Sequence, residues 1–433
     1  MKLELLFSVA IAGGAAVGTA ASGWTEWRGT SGDGVSDDGA PPLQWSEREH
    51  VKWKAAIPGE GFSTPIVHAG KIFLLSAVPT GVRGETGVRK RRFSPAKVRP
   101  AEAVHRFVVL CLDAALGKEL WRTTAVEAVP NEGRHPSHTF ASASPVADGD
   151  RLFVSFGSHG IYCLDLEGRI LWRRDLGDME TRYSWGEGAS PVVYGDALVV
   201  NWDHEGPSFI TALDKRTGNM LWRTERDEVS SWATPLIMES EGRAQVIVPA
   251  TRRIRAYDLL DGRELWNCSG MQLNVIPSPV GRNGIVYAQS SYGRNSVMAI
   301  RLGGEGDVTE TDRVLWRYTR AASYVPSPAL HAGRLYFVSR MDGLLNCLDA
   351  ATGKPFYESR RLTGIRGVYS SPVVAGGRLY VVGRDGGAVV VKAGDTFEEL
   401  AVNRLEDRFD ASPAVAGRSL FLRGHQFLYC LEE

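Results

Sequence analysis

The sequence predicts an all-β protein, an eight-bladed β-propeller of four-stranded antiparallel blades, and three observations carry that expectation. First, a serine or threonine followed by proline recurs eight times, at Pro65, Pro145, Pro191, Pro235, Pro279, Pro328, Pro372 and Pro413. The prolines stand 41 to 49 residues apart after a first interval of 80, a period at which repeats build propellers or solenoids. Second, each period holds three or four short aliphatic and aromatic runs divided by Ala-Gly, Asp-Gly and Thr-Gly turn signals, and no sustained helical periodicity follows residue 23. Third, the last unit reaches Glu433 before any outer strand, while Val51 to Ile57, ahead of the first step, has the character of one. Pairing that segment into the eighth blade closes the ring and removes an exposed sheet edge.

A turn chemistry repeats with fixed arithmetic. Asp113, Asp214, Asp258 and Asp349 each stand four residues before a glycine, and Asp165 stands three before Gly168. The carboxylate accepts local N–H groups while the glycine takes a positive φ. An aromatic follows four residues later, at Trp121, Trp172, Trp222, Trp266 and Tyr357. With Trp53 and Trp316 in corresponding outer strands, these residues are expected to wedge between neighbouring blades. Cys111, Cys163, Cys347 and Cys430 occupy one repeat-equivalent slot, filled elsewhere by Ala212 and Ala256. A slot taken by Cys or Ala is a buried small-residue site, and positions related by rotation lie too far apart for disulfides, so free packed thiols are expected.

Composition narrows the function classes. Of 433 residues, 50 are Lys or Arg and 50 are Asp or Glu. A formal charge of zero gives no global field toward nucleic acid, and no nucleic-acid partner is expected. Met1 to Ser22, a short apolar Gly/Ala-rich run ending in small residues, resembles a Sec-type signal peptide. The expected organisation is a signal peptide over 1–23 and one propeller over 24–433, with no transmembrane segment in the mature chain and a periplasmic or secreted location. No cysteine stands near the expected cleavage point to carry a lipid anchor. The long first interval is expected to hold a mobile basic insertion over 79–106 in the first blade, rich in Lys and Arg from Arg83 onward. Its charge over 83–106 suits an anionic surface such as lipopolysaccharide or an acidic protein.

The repeats also carry a resemblance. The Ser-Pro openings, the corner Cys347 to Lys354 and the Gly-x-x-x-Trp outer strands resemble PQQ-type repeats, found in quinoprotein alcohol dehydrogenases and in the BamB-like outer-membrane assembly factor. More narrowly, Trp24 to Gly29, Trp185 to Pro191, Ala212 to Gly218 and Ala299 to Asp307 are similar to exported bacterial PQQ-binding-like propeller proteins. The resemblance spans essentially all of the chain after residue 23, and its motifs are specific for fold more than for activity. For the quinoprotein branch it implies pyrroloquinoline quinone against an adjacent Cys-Cys pair, with calcium on carboxylate and amide ligands. Here no two cysteines are adjacent, and no Cys-x-x-Cys-His haem motif occurs.

Ligands of propellers meet the ring where the loops before the innermost strands converge. Here those loops bring Phe62, His138, Trp185, Glu187, Trp232, Tyr324, Tyr369, Arg408 and Asp410, a set suited to stacking a planar or sugar-like ligand. His135 and His138 form the densest histidine pair and are the metal-ligand candidates, two short of a tetrahedral site. Asp203-His204-Glu205 is a second cluster, and Gly303-Gly304-Glu305-Gly306 reads as a turn. No catalytic set is evident and no cofactor is assigned. The expected function is an exported binding or scaffold propeller offering loop surfaces to a protein, peptide or glycan. The alternative is a quinoprotein dehydrogenase-like or carbohydrate-active enzyme using the channel-mouth pocket, with PQQ and calcium as its cofactors.

Overall fold

The computed structural model describes residues 23–84 and 98–433. All but Gly23 of the expected signal peptide lies outside them. Eight sheets, each built on four antiparallel strands, follow one another around a central channel. Blade 2 shows the plan, with Val146–Asp148 innermost, then Arg151–Ser155, Ile161–Asp165 and Ile170–Arg174. The middle strands are buried along almost their whole length because blades stack on both of their faces, whereas the outermost strand meets water. Val51–Ala56 pairs antiparallel with Phe427–Leu431 and completes blade 8, so the two ends of the sequence share one sheet.

The Ser/Thr-Pro steps turn out to be latches between blades. The N–H of Thr64 donates to Ser144 Oγ at 2.9 Å, Ser144 to Ser190 at 2.8 Å and Ser190 to Thr234 Oγ1 at 3.1 Å. The series continues through Ser278, Ser327, Ser371 and Ser412 at 2.8 to 2.9 Å. Each hydroxyl satisfies a buried donor that no sheet ladder reaches. At the remaining junction, from blade 8 to blade 1, Thr64 Oγ1 is buried without a partner. There the guanidinium of Arg423 crosses instead, donating to Ser63 Oγ at 2.6 Å and to Leu75 O at 2.5 Å.

At the rim, indoles hold the same junctions. Nε1 of Trp53, Trp121, Trp172, Trp222 and Trp316 donates to Ala114, Leu166, Lys215, Leu259 and Ala350, the residue after the corner aspartate of the next blade. A Cβ on Gly218 would stand 2.7 Å from Trp172, so the positive-φ corner must be glycine to admit the ring. The small slot has its reason here too. Cys163 pairs with Trp172, Ala212 with Trp222, Cys111 with Trp121 and Cys430 with Trp53, next to a register shift that aims the indole out of the blade. Tyr357 sits opposite Cys347 and packs against Phe397 of blade 7. All five cysteines are free and buried.

Trp266 departs from the pattern because blade 5 has no Asp-x-x-x-Gly corner to receive it. Its Nε1 bonds Gln245 Oε1 within its own blade at 2.9 Å. Gly306–Asp307, in the glycine run read as a turn, adds a parallel strand over this edge.

Between Gly23 and Trp45 the chain closes the channel at the end away from the proline steps. Trp24 pairs with Val67 of blade 1, and Thr25 O accepts from Ala147 of blade 2. Asp33 O and Gly34 O accept from Leu330 and Val374 of blades 6 and 7, and Val35–Ser36 pairs in parallel with blade 7. Buried Arg28 donates to the carbonyls of Pro328 at 2.6 Å and Pro372 at 3.1 Å. The segment leaves over blade 7, where Trp45 N and Leu43 O both bond the Asn403 amide.

The basic insertion is shorter than expected. Lys71–Arg83 and Ala103–Asp113 form one long hairpin, so Pro79 to Arg83 and Ala103 to Arg106 are paired strand rather than loop. Extra length lets both strands keep their ladder beyond the blade, and Arg106 meets Glu127 at 2.9 Å. Arg89, Lys90, Arg91, Arg92 and Lys97 lie outside the described residues.

Ser190→Ala leaves the Ser144 N–H unsatisfied and is expected to cost about 1–3 kcal/mol. It should appear as a lower urea midpoint at unchanged slope, with Ser190→Thr retaining most of the stability because Thr234 already serves as a latch. A midpoint equal to the parent's would remove the latch from the account. Deleting residues 24 to 57 takes away both plug and closing strand and is expected to abolish the cooperative melt. A truncated chain melting cooperatively within a few degrees of the parent would contradict ring closure.

Candidate functional site

The loops before the proline steps wall a cavity of about 430 Å³ at the open end of the channel. Its far side is stopped by the N-terminal segment, which contributes Trp27 to the lining. Of the residues expected there, Phe62, His138, Trp185, Trp232, Tyr324, Tyr369 and Asp410 line it; Glu187 and Arg408 do not. Arg408 is exposed elsewhere. The Glu187 carboxylate turns into the wall, accepting from Ser158 N at 2.7 Å and Ser158 Oγ at 2.5 Å.

One wall is indole. Trp185 and Trp232 lie 6.4 Å apart at 33°, with Trp232 fixed by Nε1 donation to Gly186 O at 2.7 Å. Next round the ring, from blades 5 and 6, Tyr292 and Tyr324 are 5.5 Å apart. Tyr183, Ser184, Asn274 and Arg340 in the mouth loops hold left-handed φ between 48° and 56°, a cost of a kind that clusters at ligand sites.

The opposite wall is polar and charge-balanced. Asp410 is held by the Arg384 guanidinium and by His425 Nε2 at 2.8 Å. Its pKa falls: burial pushes it up, and the bonds from His425 and Arg384 outweigh burial. Arg384 in turn lies over the Tyr369 ring at 3.9 Å, and Ser137 Oγ donates to Tyr369 Oη at 3.2 Å.

The histidine pair is spent on protein groups. His135 Nδ1 meets Ser137 Oγ at 2.7 Å. His138 Nε2 meets Glu187 O at 2.8 Å and its Nδ1 meets Ser142 Oγ at 3.2 Å, which selects the Nε2–H tautomer. A Cβ on Gly186 would stand 2.4 Å from the His138 ring, so this loop closes only over glycine. Burial holds His138 down at about 4 and keeps it neutral. Among the described residues no group of three or more His, Cys, Asp or Glu side chains is placed to hold a metal ion. The second cluster is structural: buried Asp203 pairs with Arg226 at 2.7 Å and accepts from Ser231 Oγ at 2.6 Å.

Sequence reasoning missed Trp27, Tyr292, Arg384 and His425. Tyr292, Arg384 and His425 belong to loops between the second and third strands of blades 5, 7 and 8, which reach the same mouth as the loops before the prolines. Register arithmetic on those connections would have found them. Nothing in the sequence places Trp27 on the axis.

The chain matches the family model described as outer membrane protein assembly factor BamB over residues 105–358 and 305–398. A BamB from Yersinia pestis is 24% identical over 256 residues, covering 55% of this chain and 58% of its own length, so the aligned stretch spans under two thirds of that relative. Among solved structures, BamB from Moraxella catarrhalis superposes with a TM-score of 0.54 at 17% identity, covering 81% of this chain and all of that one. A europium-containing methanol dehydrogenase superposes at 0.61 and 12% identity, over 93% of this chain and 89% of its own. These structural likenesses concern the fold.

The residues at the channel mouth do not fit a calcium-bound quinone. The five cysteines are buried within their blades and none lines the cavity. Asp410, the one carboxylate among the lining residues, is already taken by Arg384 and His425.

Glu187 gives the site a pH signature. Burial, with the nearby Glu132 charge, raises its carboxyl to about 8. The folded state then keeps a proton the unfolded state has lost, so this contribution is full below 4.5 and disappears as pH rises through about 8. His138 acts in the opposite sense and only below 6.5. Above that value the thermal midpoint is expected to fall with pH more steeply in the parent than in Glu187→Gln, and parallel curves would refute the assignment.

Proposed function

This chain belongs to the family described as outer membrane protein assembly factor BamB, and we propose that it is a binding propeller rather than a catalyst, working through the channel-mouth face. The supporting observation is the blind cavity of about 430 Å³, within the range of small-ligand pockets, walled by aromatic rings and closed beneath by the chain's own N-terminal segment. Its ionisable groups satisfy one another. Asp410 is bonded to Arg384 and His425, and both histidines of the pair are bonded to neighbouring residues. The serine–histidine contact on the wall, Ser142 Oγ with His138 Nδ1 at 3.2 Å, is read as structural: the hydroxyl also meets Thr139, and an imidazole held down at about 4 is too weak a base to activate it.

The partner is a protein, peptide or glycan that inserts a group against the indole and tyrosine rings while the loops dock its surroundings. A periplasmic or extracellular location goes with the signal-like leader in this reading, and the family's description as an assembly factor fits a scaffold. No helix among the described residues is long and apolar enough to cross a membrane.

A photo-crosslinking residue in place of Tyr292, exposed at the rim, is expected to capture a partner in the native envelope. Capture should fall when Trp185→Ala and Trp232→Ala are added. The same probe in place of Leu260, exposed at a turn on the opposite end of blade 4, should capture much less. Equal capture from both faces would overturn the assignment of the binding face. Melting of the ligand-free double variant separates a plug from a pocket, since aromatic rings that only fill the channel lower the midpoint when removed.

A further inference from the structure

The cavity's chemistry narrows what enters it, a step that rests on the binding reading above. Charge comes first. The Asp410 carboxylate is matched by Arg384 and approached by His425, and His135 and His138 are half-buried and hydrogen-bonded to protein groups. An ionic ligand therefore finds no uncompensated counter-charge among the lining groups.

Hydrogen-bonding capacity comes second. Ser144, Ser190, Thr234, Ser371 and Ser412 line the cavity, and each of their oxygens accepts one N–H from the preceding blade. That bond fixes the oxygen in place. No protein group among the described residues accepts the hydroxyl protons, so a crown of fixed O–H donors surrounds the axis. Ser137 and the tyrosine hydroxyls of Tyr292, Tyr324 and Tyr369 add groups that both donate and accept.

Ring faces come third. Trp185 and Trp232, then Tyr292 and Tyr324 next round the ring, with Trp27 beneath, leave flat apolar surfaces between the hydroxyl groups.

We propose that the channel-mouth cavity binds a short uncharged saccharide, with sugar rings stacked on the indoles and sugar hydroxyls bonded to the Ser/Thr crown. A pyranose offers what these walls require: an apolar C–H face, and vicinal hydroxyls that each donate and accept. A peptide segment also offers carbonyl acceptors to the crown, but its backbone lacks the flat C–H face and the run of neighbouring hydroxyls that match rings alternating with hydroxyl groups.

The test titrates the full mature chain with neutral gluco-, xylo- and chito-oligosaccharides by calorimetry, beside a library of short unstructured peptides. Saturable binding of at least one saccharide is expected, changing little up to about 0.5 M salt because no ion pair forms. Trp185→Ala should weaken it about tenfold or more, the loss of one aromatic contact. Tyr324→Phe, which keeps the ring, serves as a second variant and should weaken it less. Saccharide binding that is unchanged in Trp185→Ala, or that appears only for charged sugars, overturns the proposal. Peptide binding that is lost in Trp185→Ala, with no saccharide bound, overturns the saccharide class and leaves the binding reading standing. Silence of both libraries, together with equal crosslinking from both faces, defeats the binding reading as well.

Discussion

The ring of hydroxyl latches is the constraint on which the rest of this structure depends. Blades of a propeller meet most tightly at the axis, where the innermost strands have no sheet neighbour and their N–H groups must find partners outside the ladder. A serine or threonine hydroxyl at the first position of the next blade supplies that partner across seven junctions. Proline at the following position needs no donor of its own and sets the chain into the strand. The same geometry gathers eight loops at one end of the axis and so creates the pocket. Architecture and site thus share one set of atoms.

Much of this was legible because it repeats. The proline step, the Asp-x-x-x-Gly corner and the outer aromatic recur at fixed offsets, and recurrence identifies a structural requirement without an alignment. Cys or Ala opposite the indole follows the same logic, as Cys163 with Trp172 and Ala212 with Trp222 show. Where the repeat lapses, sequence reasoning lost its footing. Blade 5 lacks the corner, and nothing local says that Gly306–Asp307 will return to cover Trp266. The long hairpin of blade 1 looked like a polar insertion, but its cross-strand pairing runs on from Val78 and Arg106 to Arg83 and Ala103.

The pocket was half legible for a similar reason. Residues just before each proline are located by the repeat itself, which is why Trp185, Trp232, Tyr324, Tyr369 and Asp410 meet. Side-chain direction is set by tertiary bonds that no offset encodes. Glu187 turns away because Ser158 offers it two donors, while Arg384 arrives because Asp410 and the Tyr369 ring together offer it a seat. Trp27 belongs to no repeat at all, and its place on the axis follows from non-local pairing of Trp24 with Val67 and of Gly34 with Val374.

That N-terminal stretch has a consequence for biogenesis. Trp24 and Thr25 can settle early on blades 1 and 2, but later seats lie in blades whose sequence is translated last: Gly34 rests on Val374, and Val51–Ala56 waits for Phe427–Leu431. The closing strand is thus made early and paired late, and until then an unsatisfied strand edge stays open to any competing partner. Maturation of this protein is therefore gated by completion of its own synthesis. The time between synthesis of Val51 and of Phe427 is the interval during which a holding chaperone has something to hold.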